Sequence, residues 1–429
     1  MTQSQEQPTI APLIADTPTL AAEALQPRES ATAEGLPRRD AIALTLIMLT
    51  HGVGQTLIFA ILPAVARDLG IADQAVSLIY VLPAIAWSFM TTWWGRHSDR
   101  RGRRVVILTG IVGFMLSQLM FAGAALLGYA GWIGAGTLWA LILLSRLTYS
   151  GLSSGSLPAS QAYIVSRVSP AERATALGRL TASWNLGNLL GPAVIGLLTA
   201  LGVLTPLFAT AALALLIWAW VRGCLRSEGP VAGASANARL SPLDTRLRSS
   251  MLIAICGSFA QASLLQTLGF YLMDHLGVAT TEVPRTVGFA LMFSAVSTLL
   301  AQTVFVQSLR PEPRTLELLG ASINALAFLG LVLADQLSVV WIATALCGFG
   351  YGLLRIGNVT GASHAVRGDE QGAVAGLNSA MWSAGYIIAP LAAMSLHQID
   401  PRLPYIASML SAALALAAAK GRKEFLAQA

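Results

Sequence analysis

Three side chains able to carry charge or a proton stand almost alone in long apolar stretches: His51, Arg146 and Arg355. An unperturbed imidazole titrates near pH 6.5, so His51 is the side chain best suited to take up and release a proton under ordinary conditions. A guanidinium at the centre of a bilayer costs about 2.5–3.5 kcal/mol on insertion scales, so two such arginines imply a task. The competing reading for His51 and for Arg146 is a structural hydrogen-bonding role. No Asp or Glu stands at a comparable central position, and Asp274 falls at the end of an apolar stretch, where water reaches. A cavity of that polarity repels lipophilic cations and suits neutral or carboxylate-bearing molecules. Catalysis is not expected, because the titratable groups are too few to converge. No G-x-x-x-x-G-K-[ST] loop and no zinc-ligand spacing occurs. Cys224, Cys256 and Cys347 have no paired spacing and read as packing residues. No cofactor and no metal is expected.

Two further patterns carry spacing information. Gly95-Arg96-His97-Ser98-Asp99-Arg100-Arg101-Gly102-Arg103-Arg104 places one acid among five arginines, with glycines at both flanks. Such a segment reads as a tight basic loop in which Gly102 supplies backbone freedom and Asp99 pairs with arginine or caps a helix. Arginines alone would be explained as a membrane-surface anchor; the acid and the two glycines at fixed spacing would not. The corresponding segment Gln307–Arg314 keeps two arginines and loses the rest. The second pattern is Gly178, Gly187, Gly191-Pro192 and Gly196, small residues that permit close helix approach, with a proline that removes one backbone bond.

The elements that must hold these residues are legible in the composition. Of 429 residues, 55% are apolar and 11% charged, against about 25% charged in a soluble domain. No charge occurs over 105–145, 180–221, 249–273 or 371–399. A hydrocarbon core needs about 20 helical residues to cross, and the period-2 alternation of barrel strands is absent. Twelve membrane helices are predicted, over 41–66, 75–95, 105–128, 137–166, 172–200, 204–224, 249–274, 286–308, 315–334, 338–365, 370–397 and 402–419. Residues 1–40 read as a disordered tail, 41–224 as one six-helix bundle, 225–248 as a central loop, 249–420 as a second bundle and 421–429 as a short tail. Of the 27 Lys and Arg, 22 fall on the side of the tails and central loop, which places both termini in the cytoplasm. The net charge of +6 is spent on orienting helices, so nucleic acid is not an expected partner. The halves repeat. A shift of 198 lays Glu172 on Glu370, Gly178 on Gly376, Ala182 on Ala380, Trp184 on Trp382, Gly187 on Gly385 and Pro192 on Pro390. A shift of 207 lays Leu69-Gly70 on Leu276-Gly277.

Two parallel six-helix repeats are the plan of major facilitator transporters. The basic segment resembles that family's signature G-x-x-x-D-R-x-G-R-R at every specified position. The glycine series resembles the antiporter motif G-x8-G-x3-G-P-x2-G-G of drug:proton exporters, departing at Ile195. Arg146-Leu147-Thr148-Tyr149-Ser150 is similar to the family's R-x-x-Q-G, with Tyr and Ser replacing Gln and Gly. The resemblance covers about residues 40–420 and is nearest to the tetracycline-antiporter type. It implies an all-α inner-membrane transporter, a monomer in the lipid bilayer whose partners are a small-molecule substrate and protons. It further implies a conformational latch at Gly95, Asp99, Arg100, Gly102, Arg103 and Arg104 for the outward-facing state. Cavity positions implied on helices one, four, seven and ten are His51, Gln55, Arg146, Tyr149, Gln261, Gln266, Arg355 and Asn358, with Trp87, Trp184 and Trp382 nearby. His51 lies twelve residues before Pro63 of Leu62-Pro63, where tetracycline antiporters carry an aspartate; Asp68 and Asp274 are the next proton candidates. Proton-driven export is the leading expectation, ahead of proton-coupled uptake and of a non-transporting receptor.

Overall fold

The computed structural model describes residues 36–169, 172–226, 241, 244–367 and 370–421, with the side chains of Asp99, Ala174 and Gly372 left out of the description. Twelve helices cross the molecule among the described residues. They are α1 Arg38–Asp68, α2 Asp73–Arg101, α3 Arg103–Tyr129, α4 in two pieces (Ala135–Ser153 and Ser156–Val165), α5 Arg173–Leu198 and α6 Thr205–Cys224. The second half repeats the series as α7 Arg248–Leu276, α8 Val283–Leu309, α9 Pro313–Val332, α10 Leu337–His364, α11 Gln371–Ile399 and α12 Leu403–Lys420. Eleven of these are long and apolar enough to span a bilayer unaided. The exception is α4, whose first piece carries Arg146 and a run of hydroxyl residues. Its break falls at Ser154-Gly155, where a Cβ on Gly155 would press on Trp94 and Val106.

Packing follows the internal repeat. Helix α1 lies along α5 as α7 lies along α11, and the halves meet through α5 on α8 and α2 on α11. One large apolar core gathers one end of both halves, from Leu57 through Ile79 and Phe121 to Leu264, Val283, Phe328 and Tyr405. At the opposite end, the cores are separate: one belongs to the first half, around Ile47, Phe114 and Tyr163. Others, such as that around Met251 and Val366, belong to the second. The halves are therefore closed together at the end holding the α1–α2 connection. They part at the end holding the α2–α3 connection.

Two expectations need correction. The basic segment is not a loop: α2 runs on through Arg101 and α3 begins at Arg103, so the reversal is concentrated at Gly102, with φ +92°. Arginine is a good helix former, and the last turn of a helix favours cations, so the chain has no reason to unwind at Gly95. The first helix also begins earlier than residue 41, because Asp40 is buried and accepts a 2.6 Å hydrogen bond from the Tyr163 hydroxyl. The last residues assigned to the tail are thus part of α1; residues 1–35 lie outside the described residues, as do 227–240, 242–243 and 422–429. Glu317, inside the predicted span 315–334, is a fully buried carboxylate one turn from the start of α9 and so not at a central position.

Candidate functional site

In the first half, His51 sits in an aromatic box. Its ring centroid is 5.3 Å from Phe114 of α3, 6.0 Å from Tyr149 of α4 and 6.1 Å from Trp184 of α5, nearly parallel to the last. The imidazole is 1% exposed, and neither ring nitrogen has a hydrogen-bond partner among the described residues. Arg146 lies 4.9 Å over the Tyr149 ring, and Trp87 closes the cluster 5.4 Å from Tyr149. His51 and Arg146 therefore share Tyr149 as a common neighbour. Among the described residues, the groups acting electrostatically on Arg146 are Tyr149 and Tyr80, with no carboxylate. Gln55, one turn along α1, is partly buried.

In the second half, Arg355 on α10 donates to the Tyr351 hydroxyl at 2.9 Å and lies 5.5 Å over the Trp382 ring of α11. Asn358 is a fastener: its amide nitrogen donates to the Ser250 carbonyl at 2.7 Å and its oxygen accepts from the Trp382 indole at 3.3 Å. Gln266 is buried on α7 with its side-chain oxygen unpaired, and Gln261 is partly buried on the same helix. The expected cavity residues thus divide into two clusters, one per half. Trp184 and Trp382, which coincide under the 198-residue shift, back one cluster each.

The glycine series also divides. A Cβ on Gly187 would strike the Leu49 carbonyl and Gly52, and one on Gly191 would strike the Thr56 hydroxyl, so these two seat α5 directly on α1 beside His51. A Cβ on Gly178 or Gly196 would meet no described atom within 4 Å. The Asn188 amide, oriented to satisfy both neighbours, donates to the Gly52 carbonyl at 2.9 Å and accepts from the Trp184 indole at 3.0 Å. The Pro192 carbonyl faces Gly288 of α8, which carries the seam across to the other half.

The closed end is fastened by polar contacts across the halves. Arg67 donates to both Asp274 oxygens at 2.7 and 2.8 Å and also holds Asp73 at 2.7 Å. His397 lies 2.8 Å from Asp274, and Gln74 donates to Gln398 at 2.6 Å. At the open end, Arg104 donates to the Arg222 carbonyl, and Arg96, His97 and Arg100 line a small pocket with Trp93. Arg103 is mostly buried, while the Asp99 side chain lies outside the described residues. On the second half, just ahead of α7, Arg246 holds Asp244 at 2.9 Å and Glu370 at 3.0 Å. Those hydrogen bonds lower both carboxyls below their ordinary range and raise the guanidinium.

The Major Facilitator Superfamily model matches residues 44–390, most of the chain. The protein belongs to the Major Facilitator Superfamily. Among curated relatives, quinolone resistance protein NorA of Staphylococcus aureus is 23% identical over 84% of this chain and 89% of its own length. Multidrug resistance protein 2 of Bacillus subtilis is 25% identical over 83% and 87%. Similar solved structures include the nucleoside transporter NupG, with TM-score 0.71 at 12% identity over 89% of this chain and 98% of that one. A bacterial homolog to the human lysosomal transporter Spinster gives 0.67 at 16% identity over 90% and 98%. This facilitator is a multi-pass membrane transporter, not an enzyme. Sequence reasoning missed its closed-end fasteners. Arg67, Gln74, His397 and Gln398 sit at helix ends, where polar residues are ordinary; the one available signal was the 207-residue shift, which also lays Arg67 on Asp274.

Proposed function

We propose that this facilitator is a proton-driven exporter of a small organic molecule in the cytoplasmic membrane, with both termini inside. The observation that carries the reading is the α1–α5 seam. The two central glycines of the antiporter spacing, Gly187 and Gly191, are those that bring α5 onto α1 next to the boxed His51. The relatives named for quinolone and multidrug resistance support export as the direction. With the tails and central loop inside, the described state is closed outside and open to the cytoplasm, the state that loads an exported substrate.

His51 is the proton carrier in this reading. Its unpartnered ring nitrogens have nothing to hold a proton charge while the box is shut, so proton uptake belongs to a state in which water or a partner reaches them. The segment Gly95, Asp99, Arg100, Gly102, Arg103 and Arg104 latches the halves in the opposite, outward-facing state. Gln55, Arg146, Tyr149, Gln261, Gln266, Arg355 and Asn358 line or support the path between the clusters.

Everted membrane vesicles test the direction. With an inside-acid gradient imposed, they should accumulate a fluoroquinolone, and adding the drug should discharge the gradient. Accumulation that instead requires right-side-out vesicles with an inward proton gradient would establish uptake. No movement for any molecule distinguished by metabolite profiling of a deletion strain and its medium would leave the receptor reading.

A further inference from the structure

Arg355 is a charge without a counter-charge. Its contacts are the Tyr351 hydroxyl and the Trp382 face, and the groups acting on it electrostatically are Tyr351 and Tyr386, with no carboxylate among them. It forms no ion pair among the described residues, yet it lies well inside α10. A guanidinium there is expensive unless something shares the charge. Tyrosine oxygens and an indole face orient it without neutralising it.

Its direction follows from helix geometry. Val339, Ile342 and Leu346 are the exposed apolar side chains of the first turns of α10 and mark its lipid side there; Val359 is also exposed, one turn beyond Arg355. At 100° per residue, Arg355 lies about 220° around the helix from Ile342, on the opposite face, together with Tyr351 and Asn358. Arg355 is nonetheless exposed. Arg355 packs on Trp382 of α11, a helix through which the second half meets α2, so its exposed surface opens on the space between the halves. Arg146, in contrast, is 8% exposed, sealed beneath Tyr149.

The chemistry is specific. Arg355 uses one nitrogen on Tyr351, leaving further N–H groups of the planar fork for two oxygens. The Tyr351 oxygen accepts from Arg355 and the hydroxyl also shares a hydrogen bond with Tyr386, so the free donors of this site are those of the guanidinium fork. Tyr351 stands edge-on to Trp382, ring centroids 5.6 Å apart, giving an aromatic corner beside the cation. We propose that Arg355, Tyr351 and Trp382 form a subsite for the carboxylate of a planar aromatic acid, held on the second half of the transporter. This rests on the reading of the gap between halves as the substrate path, but not on export or on proton coupling.

Binding of 2-naphthoate and of its neutral isostere 2-naphthamide to the purified full-length protein tests it, with no gradient imposed. Wild type should bind the acid at least tenfold more tightly than the amide. Arg355→Gln should erase that preference while leaving amide binding unchanged, and Arg355→Lys should keep only part of it. Equal affinities in wild type, no saturable naphthoate binding, or a preference that survives Arg355→Gln would each overturn the subsite. Loss of the preference through Arg146→Gln with Arg355→Gln silent would overturn it too. Failure of gradient-driven export, with this pattern intact, would sink the export reading and leave the subsite standing.

Discussion

At the scale of single residues, the informative groups are those whose polar atoms are buried without partners. His51 combines two unpaired ring nitrogens with three aromatic neighbours. Glutamine at this position keeps hydrogen-bonding capacity but carries no proton. His51→Gln is expected to retain substrate binding and exchange while losing uphill transport, measured by counterflow against gradient-driven accumulation. Uphill transport by the variant would move coupling to Asp68 or Asp274. A second residue-scale expectation concerns Asp244 and Glu370, whose carboxyls are lowered by Arg246. A carboxyl lowered in the folded state contributes stability above its unfolded range, and that contribution disappears as pH falls through the lowered values. All three side chains are partly exposed, so the effect is small and salt-sensitive. The thermal stability of wild type should exceed that of Arg246→Gln slightly at pH 7 and converge with it in acid. A gap that widens on acidification would contradict the assignment. His51, Arg146 and Arg355 were readable as isolated charges in apolar runs. Their aromatic surroundings were not, because Phe114, Tyr149, Trp184 and Trp382 come from four different helices.

At the scale of helices, spacing and contact can be compared directly. The glycine series was visible in the sequence as one motif, but only Gly187 and Gly191 touch α1. Gly187→Ala is expected to push α1 from α5 and destabilise the protein by about 1–3 kcal/mol, the usual range for overpacking. Gly178→Ala and Gly196→Ala should be nearly neutral or slightly stabilising, since alanine is the better helix former and nothing stands in its way. Thermal unfolding of the three variants in one detergent decides it, and equal losses at all three positions would show that the seam is not the reason for the spacing. Helix number and order were legible because hydrocarbon thickness fixes the length of apolar runs. Ends were less so. The end of α2 was misplaced because a basic stretch reads equally as a surface loop or as a cation-capped last turn, and only the positive φ at Gly102 separates them.

At the scale of the whole molecule, transport requires the closed end to open. The Gln74 and Gln398 side chains meet there across the halves. With Cys224, Cys256 and Cys347 replaced, Gln74→Cys plus Gln398→Cys should form a disulfide under oxidation and stop transport, and reduction should restore it. Undiminished transport by the cross-linked protein would mean that this end never needs to part. The proposed latch at the opposite end is tested by Asp99→Ala, which should insert at normal abundance but lose most transport if the segment makes a contact in only one state. Normal transport at wild-type abundance would refute a latch at this segment. Neither end's closure could be read from composition. The same polar residues occur at helix ends whether or not they meet a partner, and only the arrangement of the halves decides which do.

The ion pair between Arg67 and Asp274 joins positions 207 residues apart, the same interval that superposes Leu69-Gly70 on Leu276-Gly277. Arginine and aspartate therefore occupy equivalent positions of the internal repeat. Had the protein arisen by duplication of a single half, the original twins would have met like against like at this point, arginine on arginine or aspartate on aspartate. Only divergence after the duplication made the attraction possible. What now closes the molecule is a difference between its copies, so a tandem of two first halves would carry a repulsion where the present chain carries its clasp.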